Sequence, residues 1–202
     1  LHDALPILVM MIILYIASQL ILKTGFVRLE QQYANKSVEQ VEGILHNEIS
    51  TLSSKTRDYS RWDDTYDFVQ NGNEDYIRSN MVDGTFSELK LNFILFLNST
   101  GNMIFAKGYD LNGEKIIPLP NEIKEFVLER KDIVSKGISE GLDGIVVLGD
   151  KMILLTAQPI LTSAGDGPSR GLIMAGHYLD EERVREMGQI AKLPVRLYRT
   201  DW

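Results

Sequence analysis

The sequence contains no cysteine, and it is short of basic residues relative to acidic ones. Without cysteine the chain has no disulfide, no thiolate metal site and no cysteine nucleophile. Its 21 Lys and Arg stand against 28 Asp and Glu, which gives a net charge of −7. Because phosphate binding needs clustered basic side chains, nucleic acid is not expected as a partner.

Signatures of common enzymes are scarce as well. The sequence has no His-Glu-x-x-His zinc motif and no Walker phosphate loop. We therefore predict no catalytic residue, no metal site and no cofactor, and we expect that this chain is not an enzyme. Hydrophobic residues make up 44% of the sequence and charged residues 24%, a composition that is sufficient for a folded core.

A membrane anchor is predicted at the N-terminal end. Residues 7–22 are apolar except for Ser18 and Gln19, and a spanning helix needs roughly 17 to 25 such residues. The alternatives are a signal peptide, which lacks its small-x-small cleavage site here, and a core helix, which is rarely apolar all round. We predict an anchor over residues 1–25 and an extracytoplasmic domain over residues 26–202, held at the cell membrane.

Two features suggest that the sequence is a fragment. It begins with Leu1 instead of Met, and residues 1–6 resemble the translated remnant of a sequencing adapter. No prediction depends on those six residues.

A long helix is predicted to leave the membrane. Apolar residues follow one another at helical spacings of 3, 4, 4 and 3, polar residues occupy the other faces, and no proline interrupts residues 27–58. The apolar stripe consists of Val38, Val41, Leu45, Ile49 and Leu52. It can pack on a folded domain, on the same helix of a second copy, or on both, and we expect a homodimer through this helix.

The remainder of the chain predicts an α+β domain. Strands are indicated over residues 91–97, 103–108, 144–148, 152–157, 171–178 and 195–198, and helices over residues 121–135, with Asn121 as N-cap, and 180–191. Most strands are separated by hairpin-length turns, and such strands pair antiparallel. We therefore predict an antiparallel sheet with the helices grouped on one side.

The most distinctive segment is residues 57–69, which is rich in aromatic residues and carboxylates. If it is helical, Trp62 and Tyr66 share a face, and Asp63 and Asp67 share the adjacent one. This combination is suited to a cationic or hydrogen-bonding ligand. In the structural alternative, the aromatic side chains are core anchors and the carboxylates cap a helix or pair with arginine. A divalent cation shared by Asp63 and Asp67 is a further hypothesis.

Two other features receive structural interpretations. Residues 165–171 are rich in glycine, but a strand and not a helix follows them, so a hairpin loop is predicted in place of a phosphate loop. His177 lies in an apolar strand, where a satisfied core or rim histidine is the first interpretation and a contact in a ligand pocket the second.

Two blocks of the sequence resemble a known family of sensors. One is Trp-Asp-Asp-Thr-Tyr-x-Phe-Val over residues 62–69. The other begins at Gln158-Pro159-Ile160 and ends at Met174-Ala175-Gly176-His177-Tyr178-Leu179-Asp180. In their order and separation these blocks are similar to the fourth class of CHASE domains, over roughly residues 38–198. The family commonly has Arg at the position of His177, which puts a charge-based role there in doubt.

The resemblance carries several implications. It implies a Cache-like, PAS-related sheet between two membrane passes of a prokaryotic receptor. It also implies a cytoplasmic histidine kinase, diguanylate cyclase or similar output module, and a second membrane helix beyond the end of this sequence.

The functional hypothesis is a sensor that binds an unidentified small molecule between the sheet and residues 58–110. The candidate contacts are Trp62, Asp63, Tyr66, Tyr109 and His177. Two rivals remain open. One is a ligand-free, dimerising periplasmic spacer, which a filled interior behind the sheet would favour. The other is an anchored hydrolase that uses Asp63, Asp64 and His177, which would require these groups within hydrogen-bonding reach of one another.

Overall fold

A single long helix dominates the N-terminal part of the computed structural model, which describes residues 4–198. Helix α1 runs unbroken from Ala4 to Ser60, so the predicted anchor and the predicted outer helix are one element. In the described part of the chain it is the one helix long and apolar enough to cross a membrane. Residues 1–3 of the adapter-like stretch and residues 199–202 of the predicted domain lie outside the described residues.

The apolar stripe of α1 divides into an exposed and a packed part. Val38 is 57% exposed, Leu45 and Ile49 are half-buried against the core, and Leu52 is buried. Only the C-terminal part of the stripe therefore covers the sheet. Among the described residues, no other element covers Val38 or the apolar side chains that precede it on the outer part of α1, and they remain exposed.

Three short helices follow α1. Helix α2 spans Asp63–Asn71, α3 spans Glu74–Asn80 and α4 spans Asp83–Leu89. The break between α2 and α3 is encoded locally, because Gly72 has φ of +65° and the side chain of Asn73 accepts a hydrogen bond from the next helix. A left-handed glycine after a helix and an Asn N-cap before the next one are the usual stop and start signals.

Within residues 4–198 the sheet has six strands in the order β3-β2-β1-β6-β5-β4, and all of its pairs are antiparallel. The prediction of an antiparallel sheet in an α+β fold is confirmed, although β3 was not predicted. The strands are β1 (Phe93–Asn98), β2 (Met103–Asp110), β3 (Lys115–Ile117), β4 (Leu142–Leu148), β5 (Lys151–Pro159) and β6 (Gly171–Tyr178). As predicted, the glycine-rich stretch lies in the connection between two antiparallel strands, β5 and β6.

After the first hairpin, two predictions about helices and one about a strand need correction. Residues 121–135 form two helices, α5 (Asn121–Glu129) and α6 (Lys131–Ser139), separated at Arg130. Pro120 occupies the N-cap position that was predicted for Asn121. Residues 195–198 follow helix α7 (Glu181–Ala191) but form no strand. Their alternating half-buried side chains lie against the domain without a strand partner, which explains why the pattern was misleading.

Helices cover both faces of the sheet, not one. Along β1, Ile94 and Phe96 join the cluster under α1 and the short helices, whereas Phe93 and Leu95 join the cluster under α5 and α6. Successive residues of a strand point to opposite faces, so a strand buried on both sides is continuously apolar. This explains the uninterrupted apolar run of β1. It also places the long helix in direct contact with one face of the sheet.

Candidate functional site

The end of α1 brings the two distinctive sequence blocks together. The helix ends at Ser60, whose carbonyl oxygen accepts a hydrogen bond from Leu161 N at 3.0 Å. Trp62 is extended, with φ of −95° and ψ of 138°, and α2 begins at Asp63. The condition that residues 57–69 form one helix is therefore not met. The chain turns at this point and meets the loop between β5 and β6, and we call this region the tip.

Asp63 anchors the tip through a reciprocal pair of hydrogen bonds. Its backbone N–H donates to Ser163 Oγ at 3.2 Å, and Ser163 N donates to Asp63 Oδ1 at 2.9 Å. The backbone N–H of Ser163, and then its hydroxyl, hold the pKa of Asp63 below its ordinary value. Two hydrogen bonds thus join Asp63 and Ser163, which are 100 positions apart in sequence.

Arg170 completes the tip. Its guanidinium carbon lies 3.8 Å from the centroid of the Tyr66 ring, and its Nη1 lies 2.9 Å from Asp67 Oδ1. The Tyr66 hydroxyl donates to Pro168 O at 3.3 Å. With Asp63 on Ser163 and Asp67 on Arg170, each carboxylate already has a protein partner. The hypothesis of a shared divalent cation is therefore unsupported, and the residues described contain no cluster of three or more metal-binding side chains.

Trp62 is not the core anchor that the structural alternative assumed. It is 38% exposed, and its ring centroid lies 4.5 Å from that of Tyr59. Tyr59 is half-buried against the core, so the exposed ring of Trp62 beside the Asp63 carboxylate is the surface on which a flat or cationic group can stack. This is the most accessible part of the predicted contact set.

The space between the sheet and the short helices is filled by aromatic side chains. Phe68 stacks on Tyr76 with centroids 4.4 Å apart and meets Phe96 edge-on at 5.3 Å. Tyr109 is buried and stacks on Phe86 at 5.3 Å. In this conformation the region predicted to hold a ligand is a packed core, with Tyr109 as one of its members.

His177 lies at the other end of β6, against α1. It is buried, and its Nε2 lies 3.6 Å from Glu48 Oε2. Gly171, at the tip end of β6, and His177 are six residues apart on the strand, roughly 20 Å at about 3.3 Å per residue. The structure therefore brings Trp62, Asp63 and Tyr66 together and places His177 far from them.

This separation argues against the anchored hydrolase. Carboxylate and imidazole groups act together in catalysis when they lie within hydrogen-bonding reach. Asp63 is bonded to Ser163 at the tip, whereas the imidazole of His177 faces Glu48.

The stretch Gly137–Gly141 matches Gly-x-Ser-x-Gly, the serine hydrolase motif, and this match was not noticed in the sequence. It ends helix α6, and its serine hydroxyl donates to a carbonyl of the same helix, so it is not the strand-to-helix nucleophile elbow of hydrolases.

A polar network centred on the buried side chain of Gln158 fastens α1 to the sheet, and it was not predicted from the sequence. Gln158 Nε2 lies 3.1 Å from Ser53 Oγ, 3.0 Å from Asp143 Oδ1 and 3.1 Å from Thr156 Oγ1. Ser53 Oγ donates to Asp143 Oδ2 at 2.8 Å, and Arg57 Nε donates to Gln158 Oε1 at 3.3 Å. One sequence feature could have indicated this network. After Leu52 the buried face of α1 changes from apolar residues to small polar ones, and these polar residues remain buried.

Open clefts lie at the end of the sheet opposite the tip. One, of about 510 Å³, is lined by Tyr109 together with Lys90, Asp110 and Arg183. Another, of about 750 Å³, lies between α7 and residues 193–198. Of the five predicted ligand contacts, Tyr109 lines the smaller of these two clefts, and the other four line neither.

Comparison with known proteins gives a consistent picture. A family model described as the CHASE4 domain matches residues 44–198. The Methanogenesis regulatory histidine kinase FilI of Methanothrix harundinacea (strain 6Ac) is 26% identical over 172 residues, which are 85% of this chain and 19% of that protein. The chain thus spans about a fifth of the length of this curated relative.

Two solved structures align with this chain. The extracellular domain of vpHK1S-Z8, described as a histidine kinase, aligns with a TM-score of 0.57 and 15% identity, over 80% of this chain and 63% of that one. The sensory domain of the Campylobacter jejuni chemoreceptor Tlp3 (CcmL) aligns with a TM-score of 0.43 and 12% identity, over 78% of this chain and 64% of that one. At this identity, the first likeness shows a shared fold alone.

Proposed function

Because this chain belongs to the CHASE4 domain family, we propose that it is the extracytoplasmic ligand-sensing module of a membrane-anchored receptor. The resemblance seen in the two sequence blocks is confirmed, and the chain is a sensory domain of signal transduction. Membership of a sensory family supports the expectation that the chain itself is not an enzyme. A histidine kinase, diguanylate cyclase or similar output in the whole protein is part of the proposal, since the matched curated relative is a histidine kinase.

One observation carries the proposal, namely the continuity of α1. The apolar segment and the residues that contact the sheet belong to a single helix of 57 residues, about 85 Å long at 1.5 Å per residue. Ser53 and Arg57 join it to the polar network of β4 and β5. A change in the pose of the sheet therefore has a rigid element along which it can reach the membrane.

We place the ligand at the tip, among Trp62, Asp63 and Tyr66. Trp62 and Asp63 are exposed and Tyr66 is half-buried beside them. Their aromatic and carboxylate groups suit a small cationic or hydrogen-bonding molecule, which would take the place of Ser163 on Asp63 and of Arg170 on Tyr66. Tyr109 and His177 lie further along the sheet and serve as positions that respond to binding in this proposal. A ligand with different affinities for two arrangements of the tip loop shifts their populations, and with them the pose of α1.

A thermal-shift screen tests the binding. The complete chain in lipid nanodiscs is exposed to a panel of amines, amino acids and organic acids. We expect at least one compound to raise Tm, and we expect Trp62→Ala and Asp63→Ala to weaken its binding at least tenfold by calorimetry. Leu128→Ala is the matched control, because Leu128 is an apolar side chain that is 55% exposed on α5. Binding that is equally strong in all three variants would remove the ligand from the tip.

The ligand-free spacer remains a second candidate because of the filled interior described above. In this version the domain holds two copies of α1 in register without binding a small molecule. Failure of every compound to shift Tm, together with an intact dimer, would favour it over the sensor.

Both candidates include a homodimer through α1. Phe26, Leu29 and Tyr33 are 66%, 51% and 70% exposed and lie at spacings of 3 and 4 beyond the apolar segment. A second copy of the same helix would bury them. Because the chain has no cysteine, Tyr33→Cys can be tested for crosslinking without background. Asn35→Cys, on the opposite side of the helix, is the control that should crosslink less.

A further inference from the structure

The contact between His177 and Glu48 is unusual because neither side chain is satisfied. Within the part of the chain that the structure describes, the buried side-chain polar atoms without a hydrogen-bond partner are His177 Nδ1, His177 Nε2 and Glu48 Oε2. Buried polar groups are rarely left unpaired, because each costs free energy when it has lost water and gained no partner. All three orphaned atoms lie at one place, between strand β6 and helix α1.

The geometry is that of a hydrogen bond that is nearly formed. Nε2 and Oε2 are 3.6 Å apart, whereas a charged N–H donor and a carboxylate approach to about 2.7–2.9 Å. Strand β6 is held on both sides, since His177 is paired with Leu154 of β5 and Asn92 N donates to Gly176 O. Helix α1 is therefore the element that can move to close the gap of somewhat less than 1 Å.

The surrounding charges come from three elements. Glu48 on α1 is the carboxylate nearest to the imidazole. Arg183 on α7 and Lys90, between α4 and β1, are the cations whose charge reaches Glu48. Arg183 is in turn within 3.7 Å of Glu186 Oε2, which reduces its effect on the imidazole. Glu48 is thus the carboxylate placed to accept a hydrogen bond from Nε2 of His177.

We propose that His177 and Glu48 form a proton-dependent fastening between the sheet and the long helix. Imidazole is the side chain that ordinarily changes charge between pH 5 and 8. Protonated His177 donates from Nε2 to Glu48, and this charge-assisted bond holds α1 on β6. The neutral imidazole makes the weaker contact. In this structure Nδ1 has no hydrogen-bond partner among the described residues, so the proposed difference lies at Nε2.

The inference rests on the proposed function only in its last step, the assumption that α1 carries the signal. The contact between α1 and β6 can be measured without any ligand or output domain. A ligand screen without a binder would therefore not contradict the proton-dependent contact between His177 and Glu48. Conversely, absence of that contact would not contradict ligand binding at the tip.

A double-mutant cycle at two pH values provides the test. Tm is measured for the complete chain in nanodiscs, and for His177→Gln, Glu48→Gln and the double variant, at pH 5.5 and pH 8.0. We expect a non-additivity of about 5 °C at pH 5.5 and less than about 2 °C at pH 8.0. His46→Gln is the matched control, because His46 is an exposed histidine of the same helix. It should keep the pH response of the unmodified chain.

Hydrogen exchange supplies a second readout that a merely structural role would not change. After correction for intrinsic exchange, the amides of residues 45–52 should be about tenfold better protected at pH 5.5 than at pH 8.0. This difference should vanish in Glu48→Gln, which keeps the histidine and provides the answer if His177→Gln fails to fold. A pH response equal to that of the unmodified chain in Glu48→Gln, or additive effects at pH 5.5, would overturn the proposal.

Discussion

Replacing Gln158 should loosen α1 from the sheet more than any exposed substitution does. Gln158 is buried, and its amide nitrogen lies within 3.1 Å of Ser53, Asp143 and Thr156 while its oxygen accepts from Arg57. Gln158→Met keeps the approximate volume of the side chain but removes every one of these bonds.

The expected cost follows from the bonds that are lost. A neutral hydrogen bond contributes about 1 kcal/mol and one to a charged group about 1.5–3 kcal/mol. The two amide hydrogens of Gln158 are shared among three acceptors, and the substitution also deprives Arg57 of the oxygen to which it donates. We therefore expect the free energy of unfolding to fall by about 2–4 kcal/mol. For a domain of this size that corresponds to a fall in Tm on the order of 10 °C.

Circular dichroism during thermal unfolding of the complete chain in nanodiscs measures this effect. Gln70→Met is the control, because Gln70 is exposed on α2 and its replacement should change stability by less than about 0.5 kcal/mol. Gln158→Glu should be worse than Gln158→Met, because it places a second carboxylate beside Asp143. A fall in Tm for Gln158→Met within 2 °C of that for Gln70→Met would refute the reasoning.

Three further predictions concern packing and titration. The Cβ of Gly176→Ala would lie 2.6 Å from a carbonyl oxygen of β5 and 2.6 Å from an aromatic ring, so this variant should lose about 3 kcal/mol or fail to fold. Gly144→Ala is the control, because its added Cβ would have no neighbouring atom within 4 Å, and it should retain the native near-ultraviolet spectrum. The pKa of Glu48 is lowered, chiefly by the neighbouring imidazole of His177, 3.6 Å away. The Glu48 carboxylate therefore stabilises the fold above its pKa in the unfolded chain, and this stabilisation is lost as pH falls through its pKa in the folded chain. In urea titrations, Glu48→Gln should be less stable than the unmodified chain at pH 7 and equally stable at pH 3. Burial raises the pKa of Tyr76 to about 12. Burial also raises the pKa of Tyr109 and of Tyr178, so absorbance at 295 nm should show a late phase that Tyr76→Phe reduces by one tyrosine.

Local patterns predicted most of the fold. The apolar run of residues 7–22 and the stripe from Val38 to Leu52 specified α1, and turn residues at Asn98–Asn102 marked the first hairpin correctly. Failures occurred where tertiary contacts override a local pattern. Residues 195–198 alternate like a strand but lie against the domain without a strand partner, and Arg130 divides a stretch that has helical periodicity throughout.

The candidate site was less accessible to sequence reasoning. The two distinctive blocks could be recognised, but the bonds that join Asp63 to Ser163 and Tyr66 to the loop depend on how β5 and β6 present that loop. The Gln158 network was hidden because Ser, Thr and Gln are ordinarily surface residues. The separation of His177 from the tip follows from the direction of β6, which local spacing does not reveal.

Membrane topology provides the most direct test of the central claim, namely that a helix anchored in the bilayer holds this sensory domain outside the cytoplasm. The cysteine-free chain allows single cysteines to be labelled without background. In intact cells, a membrane-impermeant maleimide should label Ser99→Cys, in the exposed β1–β2 turn. Ser18→Cys, in the apolar segment, should remain unlabelled until detergent is added. Labelling of Ser99→Cys only after lysis, or free reaction of Ser18→Cys in intact cells, would contradict the account.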